Sequence, residues 1–127
     1  MNAPLVLAVA AGGGLGSVAR YGLSTLLRST APGFPWGTLA VNVVGGLAMG
    51  AITAYALTKP GALSDPLRLG LTTGILGGFT TFSAFSVETL LLWRDGSAAT
   101  AFANIAANVI LSLAACAFGL WLGRQLA

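Results

Sequence analysis

From Leu69 to Trp93 the chain carries a single charge, Glu88, and is long enough to cross the hydrocarbon core of a bilayer as a helix. In the middle of this stretch stands Gly77-Gly78-Phe79-Thr80-Thr81-Phe82-Ser83-Ala84-Phe85. Adjacent glycines followed by Thr-Thr and Ser are poor helix formers. Lipid tolerates freed backbone groups only where protein, an ion or a water-filled cavity satisfies them. An interrupted helix at membrane depth is therefore expected, and with it an ion site.

The rest of the composition fits that class. Of 127 residues, 56% are hydrophobic and 7% charged, and the mean hydropathy is +0.87. A soluble domain of this size cannot hide so much apolar surface, so the chain reads as an integral membrane protein. Its apolar runs are continuous rather than alternating, which selects helices over a transmembrane barrel. The basic residues, at 20, 28, 59, 68, 94 and 124, form no cluster, so their excess over acids does not indicate nucleic-acid binding. Histidine is absent and Cys116 is the only cysteine. That removes zinc sites, disulfides within the chain and His-based acid–base chemistry, and with them most enzyme readings.

The spacing predicts one all-α domain, residues 1–127, with four transmembrane helices. These run from about Leu5 to Leu27, Trp36 to Leu57, Leu69 to Trp93 and Ser97 to Gly123. Met1-Asn2-Ala3-Pro4 has no basic n-region, so the first run reads as a retained span and not a signal peptide. The connections are turn-rich: Ser29-Thr30-Ala31-Pro32-Gly33, Thr58-Lys59-Pro60-Gly61, Asp65-Pro66 and Arg94-Asp95-Gly96. Trp36, Tyr55, Trp93 and Trp121 fall near span ends, where such rings favour the interface. Glycine pairs four apart (12/16, 46/50, 70/74, 74/78, 119/123) suit close helix packing in lipid. Gly12-Gly13-Gly14-Leu15-Gly16 is not a dinucleotide loop, because Ser17 replaces the third glycine of that fingerprint and no βαβ context exists.

Four spans put Lys59, Arg68 and Arg124 on one side and Arg28, Arg94 and Arg20 on the other. With no bias in positive charge, the chain is expected to insert in both orientations and to pair as an antiparallel homodimer. Burial of Arg20 would leave a weak three-to-two bias instead.

Polar residues within the spans mark the faces that avoid lipid. Asn104, Asn108, Ser112 and Cys116 recur every four residues and form one stripe on the fourth helix. That stripe lines a polar path or a helix seam, and its length favours the path. Thr38 and Asn42 share a face of the second span, and the Asn42 amide can donate to an anion or to a helix carbonyl. Thr80, Thr81 and Ser83 add hydroxyls, and Phe82 and Phe85 present electropositive ring edges. Such donors can hold a small anion weakly without a buried counter-charge, as conduction requires. Freed carbonyls at Gly77 and Thr80, doubled by a two-fold, would suit a structural Na⁺. Arg20 is expected near the interface, either furnishing an electropositive vestibule or snorkelling. Glu88 reads as a capping or pairing group at the rim, though an intramembrane acid also keeps a coupled transporter open.

Gly12–Tyr21, Gly37-Thr38-Leu39-Ala40-Val41-Asn42 with Gly45, and Gly74–Phe85 resemble, in order and over essentially the whole chain, the three motifs of the CrcB/Fluc fluoride channel family. The resemblance implies a dual-topology dimer with two fluoride pores and a central Na⁺ held by backbone carbonyls of the third-helix break. By position it makes Asn42, Phe82 and Phe85 pore residues, Gly77 and Thr80 the Na⁺ ligands, and Arg20 the motif arginine. Ala84 stands where the family often has Thr or Ser, and polar positions on the fourth helix vary, leaving Asn104 and Asn108 less secure than Ser112. The resulting expectation is passive export of cytoplasmic fluoride across the bacterial inner membrane. A proton-coupled four-helix exporter using Glu88 and a subunit without transport are the alternatives.

Overall fold

A computed structural model describes residues 2–30 and 32–127; Met1, and Ala31 within the first predicted loop, lie outside the described residues. Among the described residues all regular structure is helical. The helices are α1 (Ala3–Thr30), α2 (Trp36–Thr58), α3 (Asp65–Leu69), α4 (Gly77–Phe79), α5 (Phe82–Arg94) and α6 (Ala98–Leu126), with a π-helical segment at Gly70–Leu76 joining α3 to α4. Four stretches are long and apolar enough to cross a membrane: Ala3–Ser29, Trp36–Thr58, Asp65–Arg94 and Ala98–Leu126. The four predicted spans are therefore present, each slightly longer than its apolar run because polar end residues complete the last helical turns. Gly61 and Gly96, at φ of 84° and 82°, make the turns that follow α2 and α5, a conformation that suits glycine.

Burial is inverted relative to a soluble protein. Large apolar side chains such as Leu7, Val18, Leu90 and Leu113 are exposed, whereas Thr38, Thr81, Thr89, Asn104 and Asn108 are buried. That is the distribution expected when the surrounding solvent is hydrocarbon. Trp36, Trp93 and Trp121 lie exposed near helix ends, and Lys59 sits 5.7 Å from the Tyr55 ring centroid.

Two glycine seams hold the bundle. α2 and α6 share the most extensive contact, with Gly46 against the Ser112 carbonyl, Gly50 against that of Cys116, and Gly119 and Gly123 against those of Leu47 and Ala51. The second seam joins α1 to the π-helical segment and α4, with Gly12, Gly16, Gly74 and Gly78 at its crossings. Glycine here admits backbone to backbone.

The interruption is shorter than the sequence pattern suggests and falls later. Gly77 is helical (φ −64°, ψ −38°), and Gly77–Phe79 form a helical turn. Only Thr80 (φ −79°, ψ 159°) and Thr81 (φ −153°, ψ 119°) are extended. The glycine pair serves packing, since a Cβ at Gly78 would lie 2.5 Å from the Gly13 carbonyl oxygen.

Candidate functional site

The break persists because α2 supplies what the helix loses. Asn42 Oδ1 accepts from Thr81 N–H at 2.8 Å, and Asn42 Nδ2 donates to Thr81 C=O at 3.0 Å. One side-chain amide thus stands in for both halves of a peptide group. Its second N–H donates to Asn108 Oδ1 at 2.9 Å. Of the two roles the sequence left to Asn42, donation to a carbonyl is the one this arrangement shows, and both its hydrogens are engaged. Thr81 then caps α5: its hydroxyl accepts from Ala84 N–H at 3.1 Å and lies 3.3 Å from Ser83 Oγ.

These substitutions release two carbonyls. In a continuous helix Thr81 N–H would bond Gly77 C=O and Ala84 N–H would bond Thr80 C=O. Both donors go elsewhere. Thr80 C=O accepts instead from Arg20 Nη1 at 3.3 Å. Gly77 thus has helical torsions, contrary to the expected unwinding, yet its carbonyl loses its donor as expected. Neutral main-chain oxygens are the kind of ligand a hard alkali cation takes, and the described residues hold no cluster of three His, Cys, Asp or Glu.

Arg20 lies well inside α1, ten residues before the helix end at Thr30, and not at the interface. It reaches the break, so it counts with neither loop, and the flanking positive charges stand three to two.

A cavity of about 460 Å³ opens beside the break. Its lining brings together Asn42, Thr81, Phe82, Phe85, Asn108 and Ser112, with Thr80 and Cys116, and includes no charged residue. The rings of Phe82 and Phe85 lie 5.3 Å apart at 56°; Phe85 is buried and Phe82 is 77% exposed. Ser112 Oγ is buried without a hydrogen-bond partner among the described residues. With Asn42 saturated and both Asn108 N–H groups spent on Asn104, Ser112 is an uncommitted hydroxyl donor of this lining. α5 starts at Phe82, placing the positive end of its dipole at the break.

Ser83 and Arg20 lie in a different cavity, of about 590 Å³, with Arg28, Thr38 and Glu88. The sequence had grouped Ser83 with the phenylalanines, but on α5 it faces another way. Thr81 lines both cavities. Gly77 borders neither; it opens onto a third, with Met49 and Thr72. Glu88 Oε1 accepts from the Thr38 hydroxyl at 2.9 Å, the pairing role expected of it. Its buried Oε2 has no partner among the described residues.

The fourth-helix stripe divides. Asn108, Ser112 and Cys116 line the uncharged cavity, whereas Asn104 is 0% exposed and donates to Thr89 Oγ1 at 2.9 Å. Thr89 was not singled out from the sequence. Its only signal was position, one helical turn beyond Phe85 on the same face.

Comparison with known proteins agrees with this architecture. The chain is 51% identical over 120 residues, 94% of either chain, to the fluoride-specific ion channel FluC of Paracoccus denitrificans. It is 50% identical to the protein of that name from Rhizobium etli, covering 94% of this chain and 96% of the relative. The Geobacter sulfurreducens relative, with the same name, is 49% identical, with 93% and 92% covered. Residues 7–120 match the model of the family described as CrcB-like protein, Camphor Resistance (CrcB). A four-span helical bundle matched over nearly its whole length in this way belongs to the CrcB family.

Proposed function

We propose that the protein is a multi-pass fluoride channel of the bacterial inner membrane, passing cytoplasmic fluoride outward down its gradient. The relatives bearing the fluoride-channel name support the ion and the class, which is not an enzyme. The observation that carries the mechanism is the uncharged cavity at the break, bordered by two phenylalanines, by Ser112 with its unpartnered hydroxyl, and by the start of α5. Ring edges and a hydroxyl attract an anion without a counter-charge that would trap it. Fluoride enters cells as the neutral acid and dissociates inside, so a passive route for the anion suffices to remove it.

In the finer form of this reading two copies pair antiparallel, each contributing a route. The flanking positive charge, three against two once Arg20 is set aside, is a weak bias that opposes insertion both ways only slightly. The Gly77 and Thr80 carbonyls of both copies together would hold Na⁺, which when bound adds positive potential near the anion's route. Arg20, already on the Thr80 oxygen, holds that carbonyl in place and makes the adjoining cavity electropositive.

Fluoride efflux from liposomes containing only this protein, with a K⁺ shunt, tests the reading. Efflux with chloride retained is the expected result; no efflux rejects the channel, and comparable chloride efflux rejects its selectivity. Phe82→Ile and Phe85→Ile are each expected to slow efflux roughly tenfold, equivalent to about 1.4 kcal/mol lost from the ion's passage. Parental rates in both would reduce the rings to packing groups.

The proton-coupled alternative requires a titrating Glu88. In the channel, Glu88→Gln keeps an acceptor for the Thr38 hydroxyl, and efflux is expected to stay within about threefold of the parent, a change worth under 1 kcal/mol. Abolished transport in Glu88→Gln would instead favour the exporter.

A further inference from the structure

A chain of side-chain hydrogen bonds leaves the break and returns to α5 one turn later, after crossing two other helices. It begins where Asn42 grips Thr81. Asn42 Nδ2 donates to Asn108 Oδ1 at 2.9 Å, and Asn108 Nδ2 donates to Asn104 Oδ1 at 2.9 Å. Asn104 Nδ2 donates to Thr89 Oγ1 at 2.9 Å, and the Thr89 hydroxyl donates to the Phe85 carbonyl at 2.7 Å. Every link from Asn42 onward runs in the same direction, so each bond polarises the next.

The two ends of this chain border the uncharged cavity, and its middle does not. Asn42, Phe85 and Asn108 line the cavity, whereas Asn104 and Thr89 lie outside that lining, at 0% and 8% exposure. An ion in the cavity cannot reach either one. Yet each spends its polar groups on the members that do face the ion. Asn104 anchors Asn108, which in turn accepts from Asn42, and Thr89 ties the backbone of Phe85 to α6 through Asn104. Discrimination among anions of one charge depends on a lining that does not widen for the larger one. Rigid placement of lining groups comes from hydrogen bonds made behind them.

We propose that Asn104 and Thr89 are positioning residues that fix the Phe85 ring and the Asn42 amide, and so set the preference for fluoride over larger anions without touching the ion. The proposal rests on the channel reading above. It differs from a simple helix seam in predicting a change of selectivity, and not only of stability.

The test uses the full chain in liposomes, with 4-fluorophenylalanine at position 85 as a second readout. Thr89→Val keeps the shape and removes both hydrogen bonds; Thr89→Ser keeps both. Thr89→Val is expected to lower the fluoride-over-chloride permeability ratio about tenfold, and Thr89→Ser to stay within about twofold of the parent. Adding Asn104→Ala to Thr89→Val is expected to cost little more, because both cut one chain. The fluorine resonance at position 85, a single sharp line in the parent, is expected to broaden or split in Thr89→Val. A selectivity ratio within twofold of the parent, an unchanged fluorine line, or additive losses would each overturn the proposal. If Thr89→Val does not fold, Thr89→Ala and Asn104→Ser carry the same comparison. A parent that passes no fluoride removes the channel reading, while the fluorine line still reports whether the chain of bonds holds the ring.

Discussion

Asn42→Leu is expected to be the most damaging single substitution in the interior of this protein. Leucine has the same branched skeleton with somewhat bulkier ends, so no cavity is left; what disappears is the amide that replaces two helix hydrogen bonds at the break. Thr81 N–H and C=O would then face apolar surroundings without partners, and Asn108 Oδ1 would lose its donor. Each buried polar group left unsatisfied costs about 1–3 kcal/mol, which puts the total near 3–9 kcal/mol. Such a loss rivals the whole stability of many domains. The expected result is a collapse in the yield of monodisperse protein, or a large drop in its thermal midpoint. Asn42→Asp separates the halves of the effect, because as the neutral acid it keeps an acceptor for Thr81 N–H and a single O–H in place of the two donors to Thr81 C=O and Asn108. Its melting behaviour should fall between those of parent and leucine variant. An Asn42→Leu protein that melts like its parent would show that the break is satisfied by other means.

Gly16→Val should be comparably severe, and for a steric reason. A Cβ at Gly16 would overlap the Ile75 carbonyl and lie 2.9 Å from Phe79 N, a separation that side-chain motion cannot relieve because the opposing atoms are backbone. α1 cannot retreat alone, since Gly12 meets the Gly70 carbonyl and Gly78 meets that of Gly13 along the same seam. Overpacking typically costs about 1–3 kcal/mol where neighbours adjust; here they cannot, and the seam must separate. Gly14 provides the control. A Cβ there meets nothing within 4 Å, so Gly14→Ala should be neutral or stabilising by up to roughly 1 kcal/mol through its better helix propensity. Thermal unfolding in detergent of both variants checks the contrast. Equal midpoints would mean that the seam is looser than its distances imply.

Much of this was legible in the sequence, for reasons that differ by element. The spans could be read because twenty-odd apolar residues in a row have few other fates. Asn108 and Ser112 could be read from polar residues spaced by four on a helix that must hide them from lipid, whereas the grouping of Asn42, Phe82 and Phe85 came with the family motifs. The location of the break was harder. Gly77 and Gly78 looked like its cause, but glycine costs a helix only about 1 kcal/mol per residue, less than abandoning backbone hydrogen bonds in hydrocarbon. A helix breaks in lipid where another helix offers replacements, and that depends on Asn42, nearly forty residues away. The π-helical Gly70–Leu76 segment had no pattern to announce it. Arg20 was placed too near the surface because a lone arginine was assumed to seek water, whereas it finds the Thr80 carbonyl. Thr89 escaped notice because one threonine on a helix is unremarkable until its partner, Asn104, is known.

Thr81 forms the waist between two cavities of opposite character, one bordered by Arg20, Arg28 and Glu88, the other without charge. A single copy is thus electrically lopsided, and current through it would differ with the sign of the applied voltage. In the antiparallel pair proposed above, two opposed copies would cancel that rectification, and the pair would behave as an ohmic conductor.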